Sequence, residues 1–207
     1  MLIEKTVKEY TELMASDYGA LGGGGASALS GSLGAALTAM VGTLTLGRKK
    51  YAEDQELAKS VAARGEELRA EFLSVMERDT AAFDAVSAVF AMPKDTDEQK
   101  SARKAAMQSA LKGCTETPLE MMRLCAETLA LSRSLIGHSN QSAASDLGCA
   151  ALQLGASVRG AWLNVLINLG GIDDTAFAAA RRSEGEELLA RCTALADEVY
   201  TAVLNSL

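Results

Sequence analysis

Thirty consecutive residues, Tyr18 to Gly47, carry no charged side chain, and no other feature restricts the fold of this chain as strongly. A stretch that long must leave water, either into a bilayer or into the centre of a protein. Arg48-Lys49-Lys50 follow it directly, as cations flank a membrane span. The composition points the other way. Gly, Ser, Thr and Ala crowd the stretch, and strongly apolar residues are a minority. Ala26 to Leu46 therefore reads as the buried helix of a tight bundle, with small residues admitting close backbone approach. Glu4, Lys5, Lys8 and Glu9 interrupt any apolar leader at the N-terminus, so a cytoplasmic location is expected.

The rest of the chain is also helical in character. Hydrophobic residues make up 48% and aromatics only 4%, so Ala and Leu dominate, and they favour helix over strand. Proline occurs only at Pro93 and Pro118. The expected fold is all-α: an elongated bundle of long helices forming a single domain over residues 1–207.

Apolar spacing predicts a first helix over Leu2–Asp17, closed by Ser16-Asp17-Tyr18-Gly19, and a long one over Ala52–Ala91 that stops before Pro93. Asp95-Thr96-Asp97 caps a helix from about Glu98 to Lys112. Pro118 then suits the first turn of a separate helix reaching Ile136. Gln141–Leu169 ends at Gly170-Gly171, and Asp173-Asp174 caps Thr175–Leu204.

The formal net charge is −7, which argues against general nucleic-acid binding. Cys114, Cys125, Cys149 and Cys192 form no CxxC pair and read as reduced structural thiols. His138 is the only histidine, so no His-rich zinc site can be assembled within one chain, and no metal is expected. Catalysis would rest on carboxylates, amides and lysines.

Four constellations could carry chemistry. Gly22 to Gly25 lie directly before a helix, where free N–H groups and a positive dipole end receive anions or polarised carbonyls; the plain alternative is a flexible turn. Arg48-Lys49-Lys50 either compensate a helix C-terminus or anchor an anionic tail. On a 3.6-residue period Asp146, Gln153, Ser157, Gly160 and Asn164 share a stripe, and Asn168 follows Asn164 by one turn. Such a stripe is costly if buried unpaired, so it should face a pocket or a polar partner. Asp79 and Asp84, five apart, point to different sides, so at most one enters a pocket, and a solvated acidic face is the plainer reading of the pair.

These pieces resemble the cyclodeaminase domain of formiminotransferase-cyclodeaminase and the related methenyltetrahydrofolate cyclohydrolases. The likeness is carried, in family order, by GGGGASALSGSLGAALTAMVGTLTLGRKKY (22–51), DTAAFDAVSAVFAMPK (79–94), NQSAASDLGCAAL (140–152) and GAWLNVLINLGGIDD (160–174). It implies a homodimer acting on a tetrahydrofolate derivative as substrate, with no bound cofactor. Its site would use Gly22, Gly23 and Gly24, with Asp146 as acid/base and Asp79 as the second candidate. Arg48, Lys49 and Lys50 would hold the glutamate tail, and Asn140, Asn164 and Asn168 would bind substrate. Leu21 and Gly25 stand where the family commonly has proline and serine, and Ser142 where it often has asparagine. Of the two activities the cyclodeaminase is the first expectation and the cyclohydrolase the alternative. A silent folate binder and a helical structural or membrane module are the rivals.

Overall fold

The computed structural model describes residues 1–17 and 21–207. Six α-helices account for most of them: α1 (Val7–Met14), α2 (Gly23–Thr45), α3 (Gln55–Phe90), α4 (Asp97–Ser134), α5 (Ala144–Leu169) and α6 (Thr175–Leu204). Short 3₁₀ turns at Leu2–Glu4, Lys49–Asp54 and Gln141–Ala143 join or precede them. No strand occurs among the described residues, and the all-α expectation holds. With 36 and 38 residues, α3 and α4 run about 54 and 57 Å, the long helices expected.

Side-chain caps set three of the six helix starts. The Thr6 hydroxyl accepts from Glu9 N at 3.2 Å while the Glu9 carboxylate accepts from Thr6 N at 2.8 Å, a reciprocal cap. That cap explains why the first helix begins at Val7 rather than Leu2: Thr6 satisfies more orphan donors at a helix start than inside one. The helix ends at Met14, and the expected stop at Tyr18-Gly19 lies outside the described residues. Thr96 and Gln99 repeat the device at α4. Asp174 accepts from Phe177 N at 3.0 Å to open α6, as expected.

Pro118 is the clear departure. A helix break was expected there, yet α4 runs unbroken from Asp97 to Ser134. Proline has no N–H, which orphans the carbonyl four residues earlier, that of Cys114. The Asn168 side chain on α5 donates to this carbonyl at 2.8 Å. A neighbouring helix thus supplies the bond that the proline cannot.

The uncharged helix α2 occupies the centre, packed between α3 and α5. By length and composition it could cross a membrane, but 56% of its most apolar window is buried inside the bundle. Close approach depends on glycine: a Cβ at Gly42 would lie 2.9 Å from the Ala58 carbonyl oxygen of α3. Helices α2 and α5 run antiparallel. Gly23 lies beside Asn164, and Thr45 accepts from the Asn140 backbone at 2.9 Å. Phe72, Leu68, Met121, Met122, Leu129 and Leu154 are among the largest fully buried side chains and belong to the common core of α3, α4 and α5. Ion pairs line the rim, among them Arg64–Glu127, Arg78–Glu120 and Arg133–Glu198; exposed pairs of this kind are each worth about 0–1 kcal/mol.

Candidate active site

The glycine run is part of α2: Gly23, Gly24 and Gly25 form the first turn, with Gly22 as the N-cap. Among the described residues no side chain caps this end. Its N–H groups and the positive end of the helix dipole stay available to a ligand. The site therefore has a firmer donor array than the flexible loop read from the sequence.

Glycine is required here by what lies against it. A Cβ on Gly24 would collide with the Asp79 carboxylate, which α3 presses onto this turn. Asp79 is half-buried, and no ion pair or hydrogen bond to its carboxylate occurs among the described residues. Burial pushes its pKa above the ordinary carboxylate value. A carboxylate shifted upward by burial beside a helix N-terminus is a candidate for acid and base work. Asp84, by contrast, is exposed, while Asp79 packs against the glycine turn.

Three further elements close around Asp79. The Cys114 thiol of α4 is pushed up to about 11, first by burial and then by the Asp79 charge. Tyr10 of α1 is raised to about 12 by burial, then by Asp79 and Glu77. Its hydroxyl donates to the Met76 sulfur at 3.4 Å. Both groups stay protonated at neutral pH. From α5 come Asn164, whose Nδ2 donates to the Gly160 carbonyl at 2.8 Å, and Asn168, which donates to the Cys114 and Asn164 carbonyls, each at 2.8 Å. These bonds fix both amides and leave the two Oδ1 acceptors free among the described residues.

Not every expected site residue joins this cluster. Asp146 lies in the first turn of α5, 18 residues and so about 27 Å along the helix from Asn164. Arg48, Lys49 and Lys50 are exposed beyond the other end of α2, about 34 Å from Gly23. Asn140 is there too: its Nδ2 donates to the Leu44 carbonyl at 3.1 Å and its Oδ1 accepts from Ser142 N at 3.1 Å. So is the lone histidine, His138, whose Nδ1 lies 2.9 Å from Asp54. Within one chain the expected residues thus fall into two groups at opposite ends of the α2–α5 pair.

Most of the polar stripe on α5 serves packing rather than a pocket. The Ser30 hydroxyl donates to Gln153 at 2.7 Å, Ser157 is fully buried beside the Cys125 thiol at 3.3 Å, and Gly160 lies under Ser27. Gln153, Ser157 and Gly160 thus meet neighbours on other helices, Asp146 forms no hydrogen bond or ion pair among the described residues, and the far end of the stripe reaches the site. Tyr10 and Cys114 escaped the sequence reading because Tyr10 looks like an ordinary apolar-stripe residue of its helix and Cys114 like a structural thiol near a helix break. Only their long-range placement beside Asp79 distinguishes them.

The departures at Leu21 and Gly25 are coupled. A Cβ at Gly25 would lie 2.8 Å from Leu21 Cδ1 and 3.2 Å from the Tyr10 hydroxyl. Leu21, itself buried, fills the volume that a serine side chain at position 25 would need.

Comparison with known proteins agrees with this architecture. Residues 6–187 match the family described as formiminotransferase-cyclodeaminase. The chain is 42% identical over 199 residues to a methenyltetrahydrofolate cyclohydrolase of Methylorubrum extorquens, covering 96% of each. It is 32% identical over 188 residues to the formimidoyltransferase-cyclodeaminase of Sus scrofa, covering 91% of this chain but 35% of that protein. The crystal structure of formiminotetrahydrofolate cyclodeaminase from Thermotoga maritima superposes with a TM-score of 0.89 at 24% identity, covering 99% of this chain and 98% of that one; at that identity it speaks for the fold. By its family match and by identity along nearly its whole length, this chain belongs to the formiminotransferase-cyclodeaminase family.

Proposed function

We propose that the chain is a folate one-carbon enzyme acting at the bridge between N5 and N10 of tetrahydrofolate, and specifically a methenyltetrahydrofolate cyclohydrolase. The observation that carries the site is the Asp79 carboxylate held against the uncapped first turn of α2. The bacterial cyclohydrolase, matched over nearly all of both chains, supports the choice of activity. The cyclodeaminase is the second reading, supported by the mammalian relative.

The chemistry follows from the charges. The methenyl bridge is a cation, which a facing carboxylate stabilises. Asp79 takes a proton from water as the water oxygen bonds to the bridge carbon. The N–H groups at Gly23 and Gly24 face the oxygen where charge gathers. Asp79 then returns the proton to N5 as the N5–carbon bond breaks, leaving the formyl group on N10 and one net proton released. Such acid–base assistance is commonly worth about 10² to 10⁴ in rate. The Oδ1 atoms of Asn164 and Asn168 accept from the N–H groups of the pterin. The electrophile is the substrate's own cation, so this step draws on no cofactor. In cyclodeamination the same carboxylate would instead deliver its proton to the departing ammonia.

A cytoplasmic homodimer is proposed as the working form. The outward faces of α2 and α5 carry Leu33, Met40, Leu44, Leu152, Leu163 and Ile167, with Leu163 67% and Ile167 77% exposed, and patches of this kind mark association surfaces. Asp146 can act in the glycine-turn site only if a second copy supplies it. Absorbance of the methenyl bridge, followed with purified protein on methenyltetrahydrofolate and on formiminotetrahydrofolate in parallel, tests the function. Faster loss of the methenyl signal supports the cyclohydrolase, and its appearance from the formimino substrate supports the cyclodeaminase. Turnover of neither would overturn both.

A further inference from the structure

Tyr10 and Cys114 stand at the glycine turn but take no part in the chemistry above. Tyr10 is only 5% exposed. Burial, then the Asp79 and Glu77 charges, push its phenol up to about 12, so at neutral pH it is a standing O–H donor. A hydroxyl that deep ordinarily ends on an oxygen or nitrogen. Here its acceptor is the Met76 thioether sulfur at 3.4 Å, a weak one, and giving it up costs little. Cys114 also keeps its proton, but an S–H is a weak donor.

A far stronger acceptor lies one turn along α3. Asp79 follows Met76 by three residues, so the two side chains leave the same face with Cβ atoms about 5–6 Å apart. Both also border the glycine turn, at neighbouring positions. A Cβ at Gly25 would lie 3.2 Å from the Tyr10 hydroxyl and 4.0 Å from Met76 Cγ, and one at Gly24 would meet the Asp79 carboxylate. The segment that carries Tyr10 is pinned to α3, because Ile3 N donates to Glu77 Oε1 at 3.0 Å. The ring has room to pivot: an apolar cavity of about 120 Å³ lies beside it, walled by Leu2, Leu29, Leu73 and Met76. At Asp79 the titratable neighbours are Tyr10 from α1 and Cys114 from α4, while α2 and α5 bring glycines and amides. Glu77 is the other charge felt at Tyr10.

We propose that Tyr10 is the positioning residue of Asp79: its O–H rests on Met76 while Asp79 is protonated and passes to the carboxylate when Asp79 is charged. The reaction it serves rests on the folate reading above. A donor offered to the charged form favours that form and offsets part of the cost of burial. It stabilises the state that takes the proton from water, and it restores that state once the proton has gone to N5. Tyr10 keeps its own proton throughout. The same bond holds the carboxylate in one orientation against the turn.

Tyr10→Phe removes the O–H and keeps the ring. The Asp79 carboxyl is titrated by carbon NMR in the ligand-free protein, its signal assigned by its absence from Asp79→Asn. The midpoint should rise by about one pH unit in Tyr10→Phe. It should fall in Met76→Leu, a swap close in volume that takes away the sulfur and leaves the hydroxyl to Asp79. With methenyltetrahydrofolate, the acid limb of kcat/KM should move up by a similar amount in Tyr10→Phe, with kcat reduced up to about tenfold below it and KM little changed. An unmoved or lowered midpoint in Tyr10→Phe, or a raised one in Met76→Leu, would overturn the assignment. So would a loss of kcat that is even across pH, which would make Tyr10 a packing residue. The NMR titration needs no folate. A raised midpoint in a protein that turns over neither folate substrate upholds the Tyr10–Asp79 pair and removes only the reaction assigned to it.

Discussion

At the residue scale the molecule turns on Asp79. Its pKa is raised by burial, so its folded-state value exceeds the unfolded one and the unfolded state holds fewer protons between them. Stability contributed by the protonated form is therefore lost as pH rises through that window. Asp79→Asn removes the buried charge. It should raise the melting temperature at pH 7 while turnover falls by about 10² or more; a melting temperature that drops with turnover intact would make Asp79 structural. In the wild type, the acid limb of kcat/KM should lie above the ordinary carboxylate range. The Leu21–Gly25 pair gives a second expectation. Gly25→Ser should cost about 1–3 kcal/mol by overpacking, and Leu21→Ala/Gly25→Ser should cost less than the sum of its parts. Strict additivity in thermal or urea unfolding would show that the two positions are independent.

At the element scale, α4 is whole because α5 repairs it. Asn168→Ala leaves the Cys114 carbonyl without a donor and should cost about 1–3 kcal/mol. In a Pro118→Ala background the restored N–H reaches that carbonyl from within α4, so the same change should cost markedly less. Urea melts of the four proteins in this cycle decide it; an equal cost in both backgrounds would show that Asn168 does not serve the proline. A KM increase common to both backgrounds would separate substrate contact from this structural role. The proline break was expected because the rule for isolated helices holds locally, whereas the compensating donor arrives from 54 residues away. The start of α2 was misread for a related reason. Four glycines look like a loop, but three of them form the first turn of α2, where Asp79, Leu21 and Tyr10 pack into the space that a Cβ at Gly24 or Gly25 would take.

At the scale of the whole molecule, two polar clusters stand at opposite ends of the α2–α5 pair, and the uncharged face between them is exposed. A second copy related by a twofold axis is the proposed cover. Asp79→Asn and Asp146→Asn, each inactive alone if both aspartates serve one composite site, should on mixing and subunit exchange regain about a quarter of wild-type turnover. No recovery despite demonstrated exchange would place the complete site within one chain and leave Asp146 outside it. A monomer by sedimentation at micromolar concentration would remove the dimer itself.

What the sequence determined alone was whatever depends on local periodicity and composition: the helical class, the capped starts at Thr96 and Asp174, and the burial of the uncharged stretch as α2. The candidate residues were also legible, because a glycine run, a polar stripe and lone aspartates in apolar helices are costly without a purpose. Which of them meet was not. Periodicity places side chains on a face of one helix, but it carries nothing about the register between helices far apart in sequence. Only that register decided that Asp79, not Asp146, lies on the glycine turn of its own chain, that Gln153 and Ser157 are spent on packing, and that Tyr10 and Cys114 stand beside the carboxylate.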